Sequence, residues 1–246
     1  MIRIGKVSYL NTMPLFYKWE DPKLELVSGH PSNLVRMLRK GSIHAGIVSS
    51  AEYLINMDMY TYVPNVSISS RERVCSVLFF SKVPIDKVKK VYLTPNSVTS
   101  RYLSVYILEE VYRLKPIYTE DRKEADCLLL IGDEALFEKK AGRYIYIYDL
   151  AEEWYRIHKL PFVFALFTVR KDAPSWLSER IEELCKISME AFYKDLFDGK
   201  IEVDGFRYDE LLTYFTKCLY NGLHEDGLRS LKIFMEFLSS RGYTLK

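Results

Sequence analysis

The chain has 246 residues, of which 48% are apolar, and its 35 basic and 33 acidic side chains leave a formal charge of +2. Without a clustered block of Lys and Arg, this balance argues against a nucleic-acid-binding surface. The longest apolar run, at 162–169, is far shorter than the roughly 20 residues of a membrane-spanning helix, so no membrane insertion is predicted.

Hydrophobic patterning predicts strands that alternate with helices. Strands are predicted at 1–9, 24–27, 45–48, 76–80, 91–93, 127–131, 144–148 and 162–169. Helices are predicted after Pro14, from a cap at Ser32 to a stop at Gly41, after Ser50, over 98–114, after Gly132, after a cap at Asp149, and at 175–197, 208–221 and 225–241. The alternation predicts an α/β fold with a helical C-terminal segment, and Pro84 marks a boundary between two lobes.

Four of the predicted strands, ending at Tyr9, Val48, Leu93 and Ile131, lead into small polar residues where a helix begins. Ligands of open α/β sheets bind beyond the carboxyl ends of the strands, and helix N-termini offer free N–H groups to an anion. These corners therefore predict a site for a small acid. The segment 94–100 is the strongest of them, because one side chain is enough to cap a helix and several crowd this turn.

Other polar residues have two interpretations. Arg71 and Arg73 are either a clamp for a carboxylate or a solvated charge cluster. Cys75, Cys127, Cys185 and Cys218 form no C-x-x-C pair, which predicts buried free thiols. The histidines show no metal-ligand spacing and the chain contains no P-loop or G-x-G-x-x-G, so neither a metal nor another cofactor is predicted. The first 14 residues lack the pattern of an export signal, which predicts a cytoplasmic protein.

Several motifs occur together and in order. They are GKVSYLNTMPL at 5–15, IVSSAEY at 47–53, SVTS at 97–100, ADCLLLIGDEAL at 125–136, DLAEEW at 149–154 and LPFVFA at 160–165. In this combination the chain resembles the chorismate dehydratases of the futalosine route to menaquinone. The resemblance implies a fold similar to the type II periplasmic binding proteins. Residues 1–83 and 169–246 are then expected to form lobe I and residues 84–168 an inserted lobe II, with the strands near 80 and 168 crossing the hinge and the ligand cleft between the lobes.

The resemblance also implies a reaction, the dehydration of chorismate to 3-[(1-carboxyvinyl)oxy]benzoate. Chorismate would lose its ring hydroxyl and a ring proton as the ring becomes aromatic. On the matching positions the expected catalytic residue is Asn11. The expected substrate-binding residues are Ser49, Ser50, Ser76, Ser97, Thr99, Ser100, Gly132 and Asp133.

The general base has two candidates, because Asn, Ser, Thr and Gly are poor bases at neutral pH. Asp133 ionises, but it could equally cap the helix that follows it. The hypothesis favoured here is substrate-assisted: the enolpyruvyl carboxylate of chorismate takes the ring proton, while Asn11 orients that carboxylate or the departing hydroxyl.

Three alternative functions fit the sequence less well. A sister dihydroxynaphthoate synthase would share the fold, but its family usually carries a histidine where this chain has Gly132 and Asp133. A non-enzymatic carboxylate-binding protein is expected to carry an export signal, and an effector domain of a transcription regulator is expected to follow a basic helix-turn-helix. A small molecule is the only partner predicted, and the oligomeric state is left open.

Overall fold

The fold is built on two five-stranded sheets. The computed structural model describes residues 1–243, so the last three residues of the predicted lobe I, 244–246, lie outside the described residues. The strands are β1 (Ile2–Val7), β2 (Leu24–Gly29), β3 (Ala45–Ser49), β4 (Tyr60–Ser70), β5 (Val77–Ser81), β6 (Lys90–Leu93), β7 (Ile117–Thr119), β8 (Cys127–Ile131), β9 (Tyr146–Asp149) and β10 (Phe162–Arg170).

Helices connect these strands and form the C-terminal segment. They are α1 (Met13–Phe16), α2 (Pro31–Arg39), α3 (Ser50–Ile55), α4 (Val98–Val105), α5 (Gly132–Ala141), α6 (Leu150–His158), α7 (Leu177–Phe197), α8 (Tyr208–Thr213) and α9 (Glu225–Ser240). Wider π-helical turns continue α4 over Tyr106–Val111 and α8 over Tyr214–Cys218. Short 3-10 turns occupy Leu10–Thr12 and Ile85–Lys87. Within residues 1–243, none of the helices is both long enough and apolar enough to cross a membrane.

The two sheets share one topology. The first has the order β2-β1-β3-β10-β4, in which β1 runs parallel to β2 and β3 while β10 runs antiparallel to β3 and β4. The second has the order β7-β6-β8-β5-β9, in which β6 runs parallel to β7 and β8 while β5 runs antiparallel to β8 and β9. We call the first sheet with its flanking helices lobe I and the second lobe II. The carboxyl ends of the parallel strands in each sheet supply the corners predicted from the sequence.

The chain passes between the sheets at places that differ from the prediction. Within residues 1–243, β5 pairs only with lobe II strands and β10 only with lobe I strands, so the connections are the segments 71–76 and 150–161 rather than strands near residues 80 and 168. Pro84, which suggested the first boundary, instead begins a turn inside lobe II. The second connection is mostly α6, which packs against strands of both sheets.

Two strands were missed by the sequence patterns, and one helix cap is corrected. β4 contains Pro64 and also Asn65, whose φ of +58° interrupts the strand rhythm, and it lies at the edge of its sheet. β7 is a three-residue edge strand. The helix predicted to start with a cap at Ser32 instead has His30 in the N-cap position, without a side-chain capping bond, and Pro31 in its first turn, where a missing N–H costs nothing.

The cysteines only partly follow the prediction. Cys127 and Cys185 are buried free thiols, and burial raises the pKa of the Cys127 thiol to about 12. Cys75 and Cys218 instead form a disulfide, with their Cα atoms 5.7 Å apart. The fold brings the connection 71–76 beside the end of the π-helical turn after α8. A spacing of 143 residues gives no local pattern from which this contact is predictable.

Candidate active site

A cleft between the two lobes collects the predicted corners. It holds about 620 Å³ of empty space, part of it open to solvent. Apolar side chains from both lobes form most of its wall, including Val7, Ile47, Ile68, Val77, Ile131 and Phe164. Its polar lining residues are Asn11, Thr12, Ser49, Asn96, Ser97 and Ser100. Among the described residues that line the cleft, none carries a charge at neutral pH, so a bound acid meets neutral donors in a largely apolar enclosure.

Asn11 is the predicted catalytic residue, and it lies on the 3-10 turn that follows β1. The neighbouring Thr12 fixes this turn, because its hydroxyl donates to the carbonyl oxygen of Val7 at 2.7 Å. The Oδ1 atom of Asn11 is buried and has no hydrogen-bond partner in the described part of the chain. Because buried polar atoms normally have partners, this oxygen is poised to accept from a ligand.

The lobe II side of the cleft is the first turn of α4. Ser97 precedes this helix, and its Oγ accepts from the backbone N–H of Ser100 at 3.1 Å. Asn96, Ser97 and Ser100 all line the cleft. The free N–H groups at the start of a helix and its positive dipole end attract an anion, so this turn suits a carboxylate.

Two more predicted residues line the cleft. Ser49 lies at the end of β3 and belongs to the lobe I wall. Gly132 begins α5 with a φ of +60°, and a Cβ built on it would lie 3.5 Å from the ring of Tyr9. Gly132 is suited to this corner because its backbone conformation is one that L side chains rarely adopt.

Two predicted binding residues lie behind the cleft wall instead. Ser50 is fully buried, and its hydroxyl donates to the carbonyl oxygen of Val163 at 2.6 Å. Ser76 is also buried; its hydroxyl lies 2.9 Å from that of Tyr214. Both hydroxyls are bonded within the protein, and neither residue is among those that line the cleft.

Thr99 and Asp133 join the lobes. The Oγ1 of Thr99 accepts from the backbone N–H of Ala51 at 2.8 Å, and the Oδ1 of Asp133 accepts from that of Leu10 at 3.1 Å. Neither side chain is among the residues that line the cleft. Burial raises the pKa of Asp133, and the Leu10 N–H partly offsets this effect.

Arg71, Arg73 and His158 all contact other side chains of the protein outside the cleft lining. Arg71 lies over the ring of Tyr220 at 4.7 Å and Arg73 pairs with Glu152 at 3.4 Å; both arginines are exposed and lie outside the cleft lining. The solvated interpretation of this pair therefore fits the structure. His158 packs in lobe II, where its Nε2 lies 2.8 Å from the hydroxyl of Tyr106.

Several cleft residues escaped the sequence interpretation. Asn96 belongs to the segment 94–100, but its role was not separated from that of its neighbours. The sequence pattern marks Tyr9 only as a strand end, yet its ring forms part of the wall beside Gly132. Burial, followed by the charges of Asp133 and Glu134, raises the pKa of Tyr9, so the phenol stays protonated. Nothing in the sequence pattern marks Pro31 or Phe164 as cleft residues, because apolar side chains are ordinary core residues in most positions.

Comparison with known proteins matches this architecture to a family. The menaquinone biosynthesis family matches residues 2–240. A chorismate dehydratase of Thermus thermophilus is 29% identical over 192 residues, 70% of each chain. A chorismate dehydratase of Campylobacter jejuni is 31% identical over 184 residues, which are 69% of this chain and 68% of that one.

The fold comparison agrees with the expected class. The periplasmic aliphatic sulphonate binding protein of Escherichia coli superimposes with a TM-score of 0.65 at 11% identity, over all of this chain and 94% of that one. The fold is therefore that of the periplasmic binding proteins, with two sheets and a cleft between them. With a family match that spans nearly the whole sequence, the chain belongs to the menaquinone biosynthesis family.

Proposed function

We propose that this protein is a chorismate dehydratase, a hydro-lyase that converts chorismate to 3-[(1-carboxyvinyl)oxy]benzoate and water. The observation that carries the proposal is the buried Oδ1 of Asn11, which has no partner in the part of the chain that the structure describes and lies in a cleft lined by neutral polar groups and apolar side chains. Membership of the menaquinone biosynthesis family and the two similar chorismate dehydratases support the same reaction.

The cleft offers a partner for each polar part of the substrate. The ring carboxylate binds at the start of α4, where the Ser97 and Ser100 hydroxyls and backbone N–H groups converge. The ring proton that leaves is on a carbon conjugated with this carboxylate, so the same donors stabilise charge that spreads onto it in the transition state. Across the cleft, the Oδ1 of Asn11 accepts from the ring hydroxyl and aligns it for departure, while the amide nitrogen can donate to the second carboxylate.

The substrate itself supplies the base in this proposal. Among the described lining residues only Tyr9 is ionisable, and its raised pKa keeps it protonated. Asp133 lies outside the lining and accepts from Leu10. An enclosure without cations raises the pKa of a bound carboxylate, because desolvation disfavours the charged form. The enolpyruvyl carboxylate therefore becomes a stronger base there, and it takes the ring proton. The C–H electron pair forms the new ring double bond, the hydroxyl leaves with the C–O pair, and the protonated carboxyl passes its proton to the departing oxygen, which becomes water.

The reaction is tested by incubating the purified protein with chorismate and following the products by liquid chromatography with mass detection. We expect a product lighter by one water whose spectrum matches carboxyvinyloxybenzoate. Asn11→Ala should slow its formation by roughly a hundred- to a thousandfold, whereas Asn33→Ala on the exposed face of α2 should not. Unchanged chorismate with the wild-type protein overturns the proposal.

The base is tested separately with a chorismate analogue that lacks the side-chain carboxylate. We expect no turnover of this analogue, although calorimetry should still detect its binding. Turnover at the full rate would exclude the substrate as the base. Asn11→Asp gives a second check, because a carboxylate at this position repels the substrate and accepts from the ring hydroxyl without offering the amide donor; undiminished turnover would exclude the role of Asn11.

A further inference from the structure

We infer that Thr99 and Asp133 are positioning residues that set the width of the cleft, each by binding a backbone N–H of the opposite lobe. The inference concerns these two contacts, and only its activity readout rests on the proposed function. We call the Thr99–Ala51 and Asp133–Leu10 hydrogen bonds the two latches.

In the first latch, a side chain of lobe II accepts a hydrogen bond from a backbone N–H at the start of a lobe I helix. α3 begins at Ser50, and the preceding residue, Ser49, makes no side-chain bond to the N–H groups of the first turn. The N–H of Ala51 donates instead to the Oγ1 of Thr99 at 2.8 Å, and both residues are fully buried. Because a buried N–H without a partner is costly, separating the lobes at this point loses a bond that water replaces only when it can enter.

The second latch has the same construction. Leu10 begins the 3-10 turn that carries Asn11, and its N–H donates to the Oδ1 of Asp133 at 3.1 Å. Asp133 lies in the first turn of α5, but the helix makes no capping bond through the side chain of its own N-cap residue. The carboxylate therefore serves the start of a turn in lobe I, and not the helix to which it belongs.

Each latch lies directly beside residues that face the ligand. Thr99 lies between Ser97 and Ser100, while its partner Ala51 follows the cleft residue Ser49 by two positions. Asp133 follows Gly132, and its partner Leu10 precedes Asn11. Consecutive Cα atoms are about 3.8 Å apart, so forming both latches limits how far Ser49 can lie from Ser100 and Asn11 from Gly132.

This arrangement gives the two side chains a role distinct from substrate contact. A ligand held from both lobes requires the latched spacing. The apparent affinity is therefore the affinity of the latched protein multiplied by the fraction of protein molecules that are latched. A single hydrogen bond changes such an equilibrium by roughly three- to tenfold. Loss of a latch should therefore raise KM by that factor and leave kcat nearly intact, because bound substrate itself draws the lobes together.

The test compares variants that remove the acceptor with variants that keep it. Thr99→Val removes the hydroxyl at nearly constant shape, and Thr99→Ser retains it. Asp133→Ala removes the acceptor, and Asp133→Asn retains an oxygen at the same place. Amide hydrogen exchange of Ala51 and Leu10, measured by NMR without substrate, reports each bond directly. We expect exchange at Ala51 to quicken by roughly three- to tenfold in Thr99→Val and exchange at Leu10 to quicken similarly in Asp133→Ala, with the retaining variants near wild type.

The exchange of the β8 amide of Leu129 reports global unfolding, so only quickening at Ala51 or Leu10 beyond that at Leu129 counts as the loss of a latch. Unaltered exchange at Ala51 and Leu10 in the removing variants overturns the inference. So does a collapse of kcat in Asp133→Asn with normal Leu10 exchange, which identifies Asp133 as the base. If a removing variant does not fold, Thr99→Ala and Asp133→Ser take its place. Since amide exchange is measured without chorismate, it tests the latches even if the protein proves not to be a chorismate dehydratase.

Discussion

The cleft lining and the layer directly behind it contain the same kinds of residue but differ in how those residues are bonded. Asn11 faces the cleft with a buried oxygen that has no hydrogen-bond partner among residues 1–243. Ser50 and Thr99, in the layer behind, come from equivalent corners, yet each is bonded to backbone of another element. Residues at equivalent corners thus have different roles: some are available to bind a ligand, and others stabilise the fold.

The difference teaches which observation separates a binding residue from a structural one. A buried polar group that already has a protein partner loses that bond if it turns to a ligand, whereas one without a partner gains. Substitutions in the two regions should consequently affect different quantities. Those in the lining should mainly lower kcat/KM by large factors, and those in the layer behind it should mainly lower the free energy of unfolding, with at most the modest rise in KM expected for a lost latch.

The largest effect is expected at Asn11. Asn11→Ala should lower kcat/KM for chorismate by roughly a hundred- to a thousandfold, the usual cost of removing one group that acts in a transition state. The free energy of unfolding should stay the same or rise, because the substitution deletes a buried oxygen that has no partner. Steady-state kinetics and urea unfolding of the same preparation measure both. A variant that loses activity only as it loses stability would place Asn11 in the layer behind the cleft.

One end of the disulfide lies where the two regions meet, because Cys75 is between the cleft residue Val74 and the buried Ser76. The double substitution Cys75→Ser with Cys218→Ser should lower the free energy of unfolding by about 2–4 kcal/mol, since the cross-link constrains a long loop of the unfolded chain. Urea unfolding with and without a reductant measures this. The reduced wild type should match the double variant, and a reductant that leaves the wild-type curve unchanged contradicts the expectation. Cys127→Ser with Cys185→Ser, the buried free pair, is the control for sensitivity to reductant.

A smaller effect is expected at Ser50, which sharpens the comparison with Asn11. Ser50→Ala leaves the buried carbonyl of Val163 without this hydrogen bond, and the free energy of unfolding should fall by about 1–2 kcal/mol. kcat/KM should remain within about threefold of wild type, because the hydroxyl points away from the cleft. Ser49→Ala, one residue earlier and in the lining, should show the opposite pattern. A large loss of activity with unchanged stability in Ser50→Ala would return this serine to the binding site.

The sequence patterns predicted the corners well, because a strand followed by small polar residues and a helix is a local signal. They did not predict which residues of each corner face the ligand and which are bonded within the protein. That division depends on what lies opposite, such as Ala51 for Thr99 or Leu10 for Asp133, and these contacts join residues far apart in the chain. The disulfide and the exact passage between the sheets were missed for the same reason. β4 was missed because Pro64 and Asn65 break its alternation.

The smallest effect concerns the pH dependence of stability at Asp133. Burial raises the pKa of this carboxyl in the folded state above its unfolded value, so the folded protein holds the proton more readily. The contribution of this group to the free energy of unfolding is therefore greatest below the unfolded pKa and declines as pH rises through the folded pKa. Asp133→Asn does not titrate and still presents an oxygen to Leu10, so this decline should disappear.

Urea unfolding at a series of pH values from 3 upward tests this sign. The free energy of unfolding of Asp133→Asn relative to wild type should increase with pH and then level off above the folded pKa. Glu120→Gln, an exposed glutamate just after β7, controls for the loss of one acidic charge. Parallel curves for Asp133→Asn and wild type would mean that water reaches the carboxylate freely. The latch would then be open for much of the time, and Asp133 would behave as a solvated residue at the edge of the cleft rather than as part of the layer behind it.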